Sequence, residues 1–146
     1  MDELYKRVSN ATKQTLYQFM KDQNISLLNY RFDDFFQFCI QINNIQVLPH
    51  HFSSHKIEGL TVVDELGISF SFEIDNPKVK QNFTLCHELG HFILKHDGNY
   101  FAELIDNQEN LLEREANIFS AVVLMPDIVL LSKIYYSCDS FHQVQN

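Results

Sequence analysis

In the stretch Phe83 to Asp97, FTLCHELGHFILKHD, two histidines stand four residues apart and a glutamate follows the first. On a helix His87 and His91 project from one face, one turn apart, so two imidazoles can grip a single metal ion while Glu88 lies beside a water held there. The pattern therefore asks for a helix around which the rest of the chain is arranged. With this composition a HExxH run would arise in roughly 2% of shuffled chains. The surroundings of the motif must decide between a metal site and an ordinary amphipathic helix whose histidines face a carboxylate.

The segment should start at Asp75-Asn76-Pro77, where Asn76 can cap and Pro77 suits the first helical position, and run to about His96 with Gly98 as its stop. Its buried face would carry Phe83, His87, His91 and Leu94. Upstream, Leu4, Tyr5, Val8, Leu16, Phe19 and Met20 follow the 3.6-residue period and predict an amphipathic helix to about Lys21. A second helix places Phe32, Phe35, Phe36, Cys39 and Ile40 on one apolar stripe, with Asp33 and Asp34 in its first turn, where the dipole favours carboxylates. These phenylalanines are read as core. Ile45 to Leu48 reads as a short strand ended by Pro49, and Gly59 to Asp64 with Ile68 to Ile74 as a hairpin about Leu66-Gly67. So few strands leave an edge exposed, which an extended peptide can pair with. Asn107 to Met125 is a further helix ended by Pro126, and Asp127 to Tyr136 a shorter one that Asp127 can cap.

The fold class expected is α+β: a helical domain around the HExxH helix with a small two- or three-stranded, mainly antiparallel sheet. The 146 residues suit a single domain, with N-terminal helices over 1–44, the sheet over 45–75 and the site-bearing helices over 76–136. Three cysteines, Cys39, Cys86 and Cys138, are widely spaced and form no CxxC, which argues against a disulfide framework and against a cysteine zinc site. The N-terminus has no apolar signal region and no window is long and apolar enough to span a membrane, so a cytoplasmic protein is expected. Residues 81–146 carry 3 basic against 9 acidic side chains, a balance that opposes direct nucleic-acid binding and suits a metal cation or a basic protein substrate. The histidines of HHFSSH, His50, His51 and His55, could in principle collect a metal, but as loop histidines without a carboxylate or cysteine partner they are read as solvated.

Two histidines leave a catalytic zinc one protein ligand short. The spacing resembles that of the gluzincin metallopeptidases, in which a helix bearing ExxxD follows about twenty residues later; its Glu is a ligand and its Asp orients a histidine. Here Glu113 begins Glu113-Arg114-Glu115-Ala116-Asn117, with Asn117 in place of the Asp. Glu115 is the local rival, but it lies about 200° around the same helix and cannot share a face with Glu113, which is preferred. Asn117 could then accept the free N–H of His87 or His91. The metzincin pattern would need a Gly where Leu94 stands and would use Asp97; without that Gly the required bend is hard to make. His96, about 140° from His91, would be a neighbour of the site rather than a ligand. In such a site zinc brings the pKa of its water to about 7 and polarises the scissile carbonyl, and Glu88 shuttles the proton to the leaving amine. Tyr100, Tyr135, Tyr136 and His142 are candidates for the oxyanion donor.

The runs QNFTLCHELGHFILKHD and EREANIFSAVVLMP together resemble the ImmA/IrrE metallopeptidases, whose signature is (Q/R)-x-F-T-x-x-H-E-x-G-H followed by E-x-E-A-N-x-F-A-x-x-L-L-M-P. The likeness is close from Gln81 to Pro126 and weaker through the hairpin and the Phe-rich helix. It implies a compact α+β fold, one zinc ion held by His87, His91 and Glu113, and Glu88 as general base. It also implies a substrate class: members are bacterial or mobile-element proteins that cleave a helix-turn-helix repressor. Ser120 replaces the usual Ala, harmlessly by size. Many members continue into further helical segments past the position of Asn146, so any role of that region is expected to be absent or supplied otherwise. The expected function is a zinc endopeptidase acting on such a repressor; the other reading is a zinc-containing partner of a helix-turn-helix regulator that works by binding, as in a toxin–antitoxin pair.

Overall fold

The computed structural model describes residues 3–53, 57–95, 107–127, 129–131 and 133–134. The order is α1 (Glu3–Asp22), a 3-10 turn (Leu27–Asn29), α2 (Phe32–Ile42), β1 (Ile45–His50), β2 (Gly59–Asp64), β3 (Gly67–Glu73), α3 (Lys78–Ile93) and α4 (Asn107–Leu124). The fold is α+β, mostly helical, with one three-stranded sheet.

α1 buries Val8, Ser9, Thr12, Leu16, Phe19 and Met20. Thr12 fills the position where the apolar period lapses, and its hydroxyl donates to the Val8 carbonyl at 2.7 Å, so a polar side chain enters the core with its hydrogen bond made. Tyr5 is instead exposed. The helix stops at Asn24, whose φ of 54° is left-handed, with Ile25 N–H bonded back to Met20 and Asn24 N–H to Lys21, a Schellman ending. α2 buries Phe35, Phe36 and Cys39 as expected, with Phe32 and Ile40 packed at the margin. The Phe19 ring meets Phe35 edge-on at 5.4 Å, and the Tyr30 hydroxyl donates to the Val123 carbonyl at 2.6 Å, tying the α1–α2 connection to α4. Phe35, Phe70 and Phe119 are fully buried, each adding about 1.5–3 kcal/mol by transfer from water.

The sheet is mixed, in the order β1-β3-β2. β2 and β3 form the expected antiparallel hairpin, with Thr61 opposite Phe70 and Asp64 opposite Gly67, and Gly67 at φ 124° takes a conformation that L side chains resist. β1 joins the other side of β3 in parallel, Val47 opposite Phe70, because the chain returns over β2 before entering the central strand. β1 also runs past Pro49 to His50; as an edge strand it tolerates a residue without an N–H.

Two boundaries of α3 differ from expectation. Asn76 makes no side-chain cap; Pro77 holds the cap position, and the Gln81 side-chain amide donates to the carbonyls of Ile74 and Asn76 at 3.0 and 2.9 Å. The helix ends at Ile93, short of His96, because Lys95 adopts a left-handed φ of 61° and returns its N–H to Phe92. No glycine marks that stop. Phe83 is 41% exposed rather than on the buried face. Beyond α4 the chain is helical again at 127, 129–131 and 133–134, where Asp127 pairs with Lys13 at 3.0 Å.

Candidate metal centre

Along α3 the buried residues Thr84, Leu85, Cys86, Glu88, Leu89, Gly90 and His91 face the sheet and α4, with His87 at the rim. The imidazoles of His87 and His91, one turn apart, meet edge to face at 4.8 Å, and their Nε2 atoms are 3.2 Å apart. The exposed Phe83 ring stacks on His87 at 6.2 Å.

α4 approaches α3 closely because Gly90 has no side chain. A Cβ at that position would stand 2.9 Å from Phe119 Cδ1 and 3.2 Å from its Cβ. This contact carries Glu113 over the histidines: Oε2 is 3.0 Å from His87 Nε2, and Oε1 is 3.0 Å from His91 Nε2. One donor atom from each residue lies within 4.8 Å of the other two. Tetrahedral zinc bonds of about 2.0–2.1 Å would set ligand atoms about 3.3 Å apart, so these spacings and the two-nitrogen, one-carboxylate set fit a divalent ion. The carboxylate is drawn below its usual range by hydrogen bonds from His87 and His91, against its partial burial. Burial disfavours the charged His87 ring, but the hydrogen bond and charge of Glu113, with help from Glu88 and the Asn117 amide, raise its pKa.

Glu115 points the other way, as the 200° offset requires. It is buried, with its Oε2 3.4 Å from Nη2 of Arg7 on α1. Asn117 stands beside His87, yet the buried Nδ1 of His87 has no well-formed hydrogen bond among the described residues. His96, Asp97, Tyr100, Tyr135, Tyr136 and His142 lie outside the described residues.

Glu88 is buried against the sheet, and the Thr61 hydroxyl of β2 donates to its Oε2. Thr61 escaped sequence reasoning because nothing in a β-branched strand residue marks a hydroxyl aimed at a helix carboxylate. Ser120, fully buried, donates to the Ala116 carbonyl at 3.0 Å, so the hydroxyl in place of a methyl is satisfied. Burial pushes the nearby Cys86 thiol, and that of Cys39, up to about 12, and neither is in a disulfide. One loop reading is corrected. His51 does have carboxylate partners, Asp75 at 3.1 Å and Glu73 at 3.6 Å, because the parallel β1–β3 pairing brings the two strand ends together. All three are accessible, and Glu73 already accepts from the backbone N–H groups of Phe52 and Asp75.

Gly90→Ala is expected to cost about 1–3 kcal/mol in denaturant unfolding, since Phe119 is fully buried and cannot yield. It should also weaken metal binding by separating Glu113 from the histidines, which a zinc titration would read.

The coupled groups give the metal-free protein a defined pH dependence. A lowered Glu113 pKa contributes stability that is present above the ordinary carboxylate range and lost as pH falls. A raised His87 pKa contributes stability present below about 6.5 and lost as pH rises through the folded value. The melting temperature of chelator-treated protein should therefore peak near pH 5–6. Glu113→Gln should flatten that profile, and added zinc should remove the alkaline decline, because binding replaces the ring proton.

Two histidines one helical turn apart and a glutamate from a second helix form a group that could hold a metal ion. The profile of the Peptidase_M78 family, described as the IrrE N-terminal-like domain, matches residues 44–140, and the chain belongs to this family. A comparison with curated proteins gives no match.

Proposed function

We propose that this protein is a zinc-dependent endopeptidase that cleaves a helix-turn-helix transcriptional repressor of a phage or mobile element, acting in the cytoplasm. The observation that carries the reading is the convergence of His87 Nε2, His91 Nε2 and the Glu113 carboxylate at 3.0–3.2 Å, in a chain of a peptidase family. The repressor substrate rests on the ImmA/IrrE resemblance. No helix among the described residues is long and apolar enough to cross a membrane.

His87, His91 and Glu113 would hold one zinc ion, and the ion, when bound, supplies Lewis-acid polarisation of the scissile carbonyl and acidifies water. Glu88, on the turn between the two histidines, takes the proton of the attacking water on its carboxylate and delivers it to the departing amine nitrogen. Burial of Glu88 limits competing water, and Thr61 fixes the direction of the carboxylate. β2 lies at the sheet edge beside Glu88, so an extended substrate segment can pair with it and present its carbonyl to the site.

The test is co-expression with a candidate helix-turn-helix repressor, sought first in the neighbouring reading frames. Mass spectrometry should find that protein cut at one bond, and intact when a chelator is added to the purified pair. An uncut repressor bound stably by the zinc-loaded protein would instead support the binding partner reading.

A further inference from the structure

We propose that Thr61 is a positioning residue for Glu88, tethering the catalytic carboxylate to the outer strand of the sheet so that base orientation depends on the placement of that strand. The inference deepens the peptidase reading and rests on it. β2 is an edge strand, with no strand on its other side among the described residues. Residues 59 and 61 lie on the same face of β2, by the two-residue period of a strand, and that face packs on α3. At Gly59 an added Cβ would run into Thr84 Cγ2 and lie 3.6 Å from Glu88 Oε1, so the strand rests directly on the helix. That approach brings the next residue of the same face within reach: the Thr61 hydroxyl donates to Glu88 Oε2. Gly59 sets the separation, and Thr61 makes the bond.

An ordinary threonine on an edge strand would show its hydroxyl to water. Here it is committed to the one buried carboxylate on α3 that faces the sheet. A peptide added to the outer side of β2 would bear on the strand that holds Glu88. Substrate pairing and base alignment are then one mechanical event.

The test compares zinc-loaded wild type with Thr61→Val, which keeps the branched shape and loses the hydroxyl, and Thr61→Ser, which keeps the hydroxyl. Zinc content should be equal in all three. On the best-cleaved member of a quenched-fluorescence peptide library, Thr61→Val should lose roughly 10- to 100-fold in kcat with KM within about twofold, and Thr61→Ser should recover most of it. Wild-type kcat in Thr61→Val, or a Thr61→Ser as slow as the valine variant, overturns the proposal. A thermal cycle over Thr61→Val, Glu88→Ala and the double variant supplies a readout independent of turnover. The double variant should melt about 4–8 °C higher than the sum of the single shifts implies. If wild type cleaves no peptide, the peptidase reading fails and this cycle decides: additive shifts remove the Thr61–Glu88 link, and non-additive shifts retain it.

Discussion

Glu113→Ala is expected to lower zinc affinity by about 10²- to 10³-fold, while Glu115→Ala leaves it within about twofold. Zinc sites of four ligands bind with about 10–16 kcal/mol, so one ligand accounts for about 3–4 kcal/mol, and each 1.4 kcal/mol is a factor of ten. Glu113 lies 3.0 Å from both imidazole Nε2 atoms, so its loss removes a donor and the only carboxylate in the triad. Glu115, two residues on, faces Arg7 on α1. Arg7 is 62% exposed and can be hydrated once its partner is gone, so the cost of Glu115→Ala should stay near 1 kcal/mol of stability. Competition against a chromophoric chelator measures both affinities, and unfolding in denaturant measures the stability. Equal loss of zinc in the two variants would sink the assignment of Glu113.

Glu88→Gln should reduce kcat for peptide cleavage by about 10²- to 10⁴-fold and leave zinc content unchanged. Glutamine has the shape of glutamate and still offers an oxygen to the Thr61 hydroxyl, so the packing between α3 and β2 should survive. What disappears is the carboxylate that would take the proton of the attacking water. Metal content by elemental analysis and turnover on the same preparation separate the two effects. Cleavage at the wild-type rate would show that Glu88 is not the base.

β2 falls on Gly59–Asp64 as its β-branched run predicts, and α2 buries the phenylalanine stripe, because both patterns repeat at the period of the element. The offset of Glu113 from Glu115 was legible, since residues two apart on a helix lie about 200° from one another. The parallel joining of β1 was not. It depends on where the chain returns in space, and with it went the approach of His51 to Asp75. The end of α3 was missed because Lys95 takes a conformation usually given to glycine. At Gly90 and Gly59 nothing in the sequence marks what the structure shows, that each is a point where one element rests against another.

The match to the family begins at residue 44, yet the platform behind α4 is built from what precedes it. Leu16, Phe19, Met20, Phe35, Phe36 and Cys39 share one core with Phe119, Val122 and Val123, and Arg7 grips α4 at Glu115. Trimming the polypeptide to the matched stretch would leave the helix that carries Glu113 without its backing, so the smallest unit that keeps Glu113 over His87 and His91 extends upstream of the recognisable motif.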